Sequence, residues 1–367
     1  MLFVFIIIVF SSDYHFLWIL YDILALSSLF YLMFKVKKFN IIIILSIAFF
    51  LLQALFSGSH IISYLSIWDN IKHIFLIYVL YILMAKYKYT RKIEFMRKLG
   101  KFLMITFILE SILIFYQYYI GYDFDDISGT FGYGASHSIG YFSLLVIGYR
   151  LYITKKLNLI TFIIIFDAII INYMSENMGF YILLVLLFSF YRPAALFYLI
   201  VISTVVYILF SSFSGNFITS MIGRFLEFFT YSQELDLTNI KSSRGSLTAY
   251  ALYLGNFFGV GPGAFSSIYG LTGWKIDELA NSQINISTVT NLVSEYGIVG
   301  FIVWIILYLY IINSFIVEQR VKFSVSIFII FVFFYNRLLM DERIIFMIMM
   351  LILIMNYDSK IIKKGIK

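Results

Sequence analysis

The run Val289–Val317, VTNLVSEYGIVGFIVWIILYLYIINSFIV, contains a single charged residue, Glu295. Its downstream half is continuously apolar rather than alternating, the pattern of a helix with apolar surroundings on every side. About 20 such residues cross a bilayer. This run is longer, so its first turns are expected to lie at the interface or to fold back. Similar runs recur on both sides of it, and they set the fold class for the whole chain.

Working outward, membrane segments are expected at Leu2 to Phe10, Tyr14 to Phe34, Ile41 to Phe56, Ile71 to Ala85, Phe102 to Tyr119 and His137 to Ile153. Others follow at Leu157 to Tyr173, Met178 to Phe190, Ala194 to Phe213, Phe323 to Tyr335 and Ile344 to Tyr357. The first is short for a full span, which makes the count eleven or twelve. The chain is 62% hydrophobic and 13% charged, against roughly 25% charged in an ordinary soluble domain, an excess that no soluble core of this size absorbs. In lipid every backbone polar group needs a partner within the protein, and continuous apolar runs satisfy that as helices. The expected fold is therefore all-α: a polytopic integral membrane protein with about 11–12 transmembrane helices and one large external loop.

The net charge of +7 could indicate nucleic acid, so its distribution matters more than its sum. Twenty of the 27 Lys and Arg residues fall on one set of alternate connections, including the cluster from Lys86 to Lys101 and the tail from Lys360 to Lys367. The opposite set holds Lys72, Arg224, Lys241, Arg244, Lys275, Arg337 and Arg343. Basic residues stay on the cytoplasmic side, which places the C-terminus inside and the loop from Phe213 to Thr288 outside. The charge is topogenic and no nucleic-acid partner is expected; membrane lipids are. Three regions result: an N-terminal bundle over 1–213, the external loop over 214–288, and C-terminal helices with a basic cytoplasmic tail over 289–367. No removable signal peptide is expected, because the N-terminus lacks a basic flank and a small-residue cleavage site. Cysteine is absent, which excludes disulfides, thiolate nucleophiles and thiolate metal sites.

Charge, glycine and hydroxyls concentrate between Arg224 and Gly300. Arg244 and Arg224 are guanidinium groups on the side where basic residues are scarce, and a guanidinium fork suits a phosphate ester at the interface. A solvated loop residue or a headgroup anchor is the competing reading. Gly259, Gly261 and Gly263 alternate around Pro262, so their amides could approach an anion or form a tight turn. Neither a nucleotide P-loop nor a dinucleotide fingerprint is present.

Arg244, ten residues, then Gly255, followed by FFGVGPGAF at Phe257–Phe265 and SEYGIVGF at Ser294–Phe301, resembles the signature of the O-antigen ligase and polymerase superfamily. DFDDISGTFGYGASHSIGYFSLL at Asp123–Leu145 resembles the Ser-Gly-Thr-Phe region of Wzy-type polymerases that join O-antigen or capsule repeat units, and SENMGF at Ser175–Phe180 is similar to them too. These stretches stand in the expected order along the chain. The resemblance implies a glycosyltransferase of the bacterial cytoplasmic membrane that works on its outer face. Donor and acceptor would both be undecaprenyl-diphosphate-linked glycans, with no metal, nucleotide sugar or other cofactor, and a chain-length regulator is a partner it allows. By carry-over, Arg244 holds the donor diphosphate, whereas Arg224 has no firm motif position and is a second phosphate contact on chemical grounds alone.

Many ligases of the superfamily carry a His before the Glu-x-Gly passage, and QINISTVTNLVSEYG at Gln283–Gly297 has none, which favours the polymerase. Three other residues could act as base. His137 sits at an outer boundary beside a Gly-rich turn, Glu295 at the start of an apolar helix, and Glu176 near another outer helix start; each could equally cap or brace its helix. Asp277 and Glu278 are adjacent on the loop and are expected to be solvated. Asp22, Glu110 and Asp167 fall within spans, where an acid suggests an ion path or a buried partner, and no Lys or Arg is expected at their depth. They keep a transporter or flippase open as the alternative to polymerase and ligase. Against it, neither a broken-helix pair nor a midplane proline is visible in the sequence.

Overall fold

The continuous apolar runs become helices. The computed structural model describes residues 15–36, 41–56, 61–86, 89–123, 126–131, 136–154, 158–175, 177–191, 204, 255, 257–263, 287–315, 319–335 and 342–365. Every regular element among them is helical. The helices are α1 His15–Tyr31, continued by a π-helical turn Leu32–Val36; α2 Ile41–Phe56; α3 Ile61–Lys86; α4 Tyr89–Tyr119; and α5 Ser136–Tyr149, continued by a π-helical turn Arg150–Thr154. After them come α6 Leu159–Met174, α7 Met178–Tyr191, α8 Thr288–Phe315, α9 Gln319–Tyr335 and α10 Glu342–Gly365. The expected segments at Leu2 to Phe10 and Ala194 to Phe213 lie outside the described residues, apart from Thr204.

Helix α5 is the centre of the bundle. All of its residues except His137 are buried, and α4, α6, α7 and α10 pack around it. A second group forms where α8 packs on α2 and α9, with Phe50 stacked on Trp304 at 4.4 Å between ring centroids. Helix α3 joins the two groups by packing on α1, α2 and α10.

The outward faces invert the pattern of a soluble protein. Helix α1 and the turn that continues it expose Ile19, Ile23, Leu26, Phe30 and Phe34, a stripe at helical spacing, and α4 exposes Ile105, Ile108, Leu109, Ile112 and Tyr116. Apolar stripes of this extent are a surface for apolar surroundings. Two stretches, Glu94–Tyr119 and Thr288–Tyr310, are long and apolar enough to cross a membrane.

Two expectations need correction. Helix α3 begins at Ile61 rather than near Ile71, so Lys72 is a helical residue and not part of an external connection. It also supplies the buried cation that was not expected beside the acids: Lys72 is fully buried and bridges Asp22 of α1 at 3.0 Å and Asp69 at 2.8 Å. Helix α8 is interrupted at Gly297, where φ is 67° and ψ is −177°. That also gives the Val289 run the bend its length required.

Candidate functional site

A break inside a helix leaves carbonyls on one side and amides on the other without their usual partners. At Gly297 the segment 257–263 supplies them. Val260 donates its amide to the Ser294 carbonyl and Gly261 to the Glu295 carbonyl, both at 2.9 Å, while Val299 donates to the Phe257 carbonyl at 3.3 Å. Gly263 donates to Oε2 of the Glu295 carboxylate at 3.0 Å, and Gln53 of α2 donates to the Phe258 carbonyl and, at 3.4 Å, to the Glu295 carbonyl. Gly259 and Gly297 both have positive φ, and a Cβ on either would collide with the backbone that carries the other. Of the two roles open to the alternating glycines, the geometry is that of a turn seated on a broken helix. The amides of Gly259, Gly261 and Gly263 all donate to acceptors of the protein itself, the tight-turn role rather than the anion cradle.

Glu295 is fully buried at this seat, and the next residue, Tyr296, receives a hydrogen bond from Asn70 of α3 at 3.1 Å. Tyr21 and His73 are bonded to one another beside Lys72, whose ammonium also lies 5.4 Å from the Tyr21 ring. A polar layer thus runs from Glu295 through Tyr296 and α3 to Lys72 and Asp22. Sequence reasoning missed Lys72; the helical spacing of Asp69 and Lys72 was the available signal.

A second polar cluster surrounds the Ser-Gly-Thr-Phe stretch. Gln117 of α4 accepts from the amides of Ser128 and Gly129, at 3.1 and 2.8 Å, and donates to the Gly129 carbonyl at 3.0 Å. Glu110 accepts from the Thr130 amide at 2.8 Å and from the Thr130 hydroxyl. Gln117 and Glu110 lie on one face of α4, about 10 Å apart along its axis at 1.5 Å per residue, so the chain descends alongside α4 from Ser128 to Thr130. Gly129 presses on the Glu110 carboxylate with no room for a Cβ. Phe131 is then fully buried against Phe142 of α5, and Arg343 of α10 donates to its carbonyl. Glu110 therefore holds a turn. Asp167 accepts from Ser111 at 2.7 Å across the α4–α6 contact.

Helix α5 starts just beyond this turn. His137 is its second residue and the only one partly exposed. Around it, Asn177 donates to the Ser136 carbonyl at 3.4 Å and to Asn172 Oδ1 at 3.0 Å, and Asn172 donates to Ser143 at 3.2 Å.

His137 and Glu295 thus belong to different clusters, since α5 and α8 share no extensive contact among the described residues. Arg244, Arg224, Glu176, Asp277 and Glu278 lie outside the described residues. Among the described residues no three His, Asp or Glu side chains gather as a metal site. No family model, curated protein or solved structure matches the chain.

Proposed function

We propose that the chain is a polytopic protein of the bacterial cytoplasmic membrane that polymerises undecaprenyl-diphosphate-linked repeat units into O-antigen or capsular polysaccharide on the outer face. The observation that carries this reading is the seating of 257–263 on the break at Gly297. Two stretches of the resemblance, FFGVGPGAF and SEYGIVGF, lie far apart in the sequence and are bonded to each other here. The third, Ser-Gly-Thr-Phe, is clasped by Glu110 and Gln117. Under the charge distribution all three fall at the outer ends of the helices.

In this reading Arg244 neutralises the diphosphate that leaves as the glycosidic bond forms, and Arg224 assists. The acceptor is the sugar hydroxyl of a second lipid-linked unit, and His137, Glu295 and Glu176 are the groups from which its base is drawn. Replacing Arg244 by Ala or by Lys should each abolish chain extension while the protein accumulates normally in the membrane, because Lys lacks the fork. A fully active Ala variant would remove the assignment.

A transporter of the same lipid-linked glycan is the second reading. The break in α8 favours it, because discontinuous helices line substrate sites in transporters. The pairing of Asp22 with Lys72 counts against it, since that acid has a buried partner. Vesicle flux that depended on Asp167 would reverse the order. The ligase reading differs only in its acceptor, and the absence of His from Gln283–Gly297 speaks against it.

A further inference from the structure

The peptide group that joins Ser136 to His137 carries a side-chain hydrogen bond. Asn177, immediately before α7, donates from Nδ2 to the Ser136 carbonyl at 3.4 Å and to Asn172 Oδ1 at 3.0 Å. Asn172, in the last turn of α6, donates in turn to the Ser143 hydroxyl at 3.2 Å and to the Ala168 carbonyl at 2.8 Å. Each side-chain amide nitrogen has two hydrogens, so the pair has no donor left over. The backbone amide of Asn177 bonds the Asn172 carbonyl at 2.9 Å, which closes the link between α6 and α7.

Gly140 leaves the space for this contact. A Cβ there would stand 2.1 Å from Asn177 Nδ2 and 3.2 Å from Asn172 Oδ1, so both amides lie over the first turn of α5. Asn172 and Asn177 are 0% and 3% exposed. In an apolar bundle such a pair costs stability unless its bonds are made, and once made they fix one arrangement. Helix α5 is anchored without it, because every residue from Ser138 to Tyr149 is buried among its neighbours. What the pair fixes is the end of the helix, where His137 alone of the α5 residues reaches the surface.

We propose that His137 is the base of the polymerase and that Asn177, held by Asn172, is its positioning residue. This rests on the polymerase reading and chooses His137 over Glu295, whose carboxylate is buried and bonded to Gly263. As the acceptor oxygen bonds to the donor's anomeric carbon, the bond from that carbon to the diphosphate breaks. The diphosphate leaves with the electron pair, and the hydroxyl proton passes to the imidazole. A base misplaced by about 1 Å costs up to about a hundredfold, so fixing the peptide that enters His137 bears on the rate rather than on binding.

The test is turnover of the full chain in nanodiscs, fed undecaprenyl-diphosphate-linked units isolated from cells that lack it. His137→Gln should lose about a hundredfold or more in kcat, and Asn177→Ala about ten- to a hundredfold with KM unchanged. Asn177→Ala added to His137→Gln should cost nothing further, since it acts only through the imidazole. Gly140→Ala pushes the Asn177 amide aside from the other face, and should reproduce the loss in a helix that alanine itself favours. With Gly140→Ala and Asn177→Ala together, the new methyl fills the space the amide leaves; the melting temperature should return towards the native value while kcat stays low. Recovery of kcat along with the melting temperature would make the pair a packing device and overturn the proposal. So would losses that multiply between Asn177→Ala and His137→Gln. A native rate in His137→Gln would also overturn it, passing the role of base to Glu176 with the polymerase reading intact. Failure of the native protein to lengthen these units would instead contradict the polymerase reading itself, and the proposal with it.

Discussion

Gly263 donates its backbone amide to the carboxylate of Glu295 at 3.0 Å, tying the last residue of the glycine-rich turn to a helix that resumes only after Gly297. The contact gives a fully buried acid a donor and gives the turn a fixed seat. It also connects the loop that precedes it in sequence, where Arg224 and Arg244 lie, to the helix bundle.

Of the three base candidates, Glu295 is the one whose contacts favour a positional role. Glu295→Gln keeps an acceptor for Gly263 and should retain most chain extension, whereas Glu295→Ala leaves that amide unbonded and should cost about 1–3 kcal/mol. Hydrogen exchange at the amides of Val260, Gly261 and Gly263 should rise in the Ala variant and stay native in the Gln variant. A Gln variant that folds normally and extends nothing would make the carboxylate a catalytic group.

Lys72 predicts a coupled set. The ammonium is fully buried, but its partners Asp22 and Asp69 keep 38% and 50% of their side chains exposed. The loss is therefore expected below the range for a wholly buried pair, at about 1–3 kcal/mol for Lys72→Met. Thermal unfolding in detergent should show Lys72→Met with Asp22→Asn destabilised by less than the sum of the two single changes. Strict additivity would mean that the bridge contributes nothing.

The absence of cysteine permits a clean test of topology. Cysteine placed at Thr130, which is exposed, should react with an impermeant thiol reagent added to intact cells, and cysteine at Lys156 or Lys364 only after permeabilisation. The reverse pattern would put the Ser-Gly-Thr-Phe turn inside and end the assignment of an outer-face reaction.

How much was legible follows from the kind of interaction involved. Apolar continuity is local, so α2 was placed at Ile41–Phe56 from the sequence, and the excess length of the Val289 run foretold a bend. Helix α3 was started ten residues late, at Ile71; Asn70, Lys72 and His73 find their partners Tyr296, Asp22 and Tyr21 far away in sequence, and only packing turns such residues into an interior layer. The glycine run was visible, but whether its amides served an anion or a broken helix depended on where Gly297 would sit. Glu110 looked like an acid placed in lipid, and the turn it holds lies 20 residues away.

The most direct measurement is the length of glycan carried on undecaprenyl diphosphate in cells lacking this protein. A polymerase predicts that single repeat units accumulate on the outer face and that the long chains disappear. An unchanged ladder of long chains would contradict it, as would loss of every outward-facing intermediate.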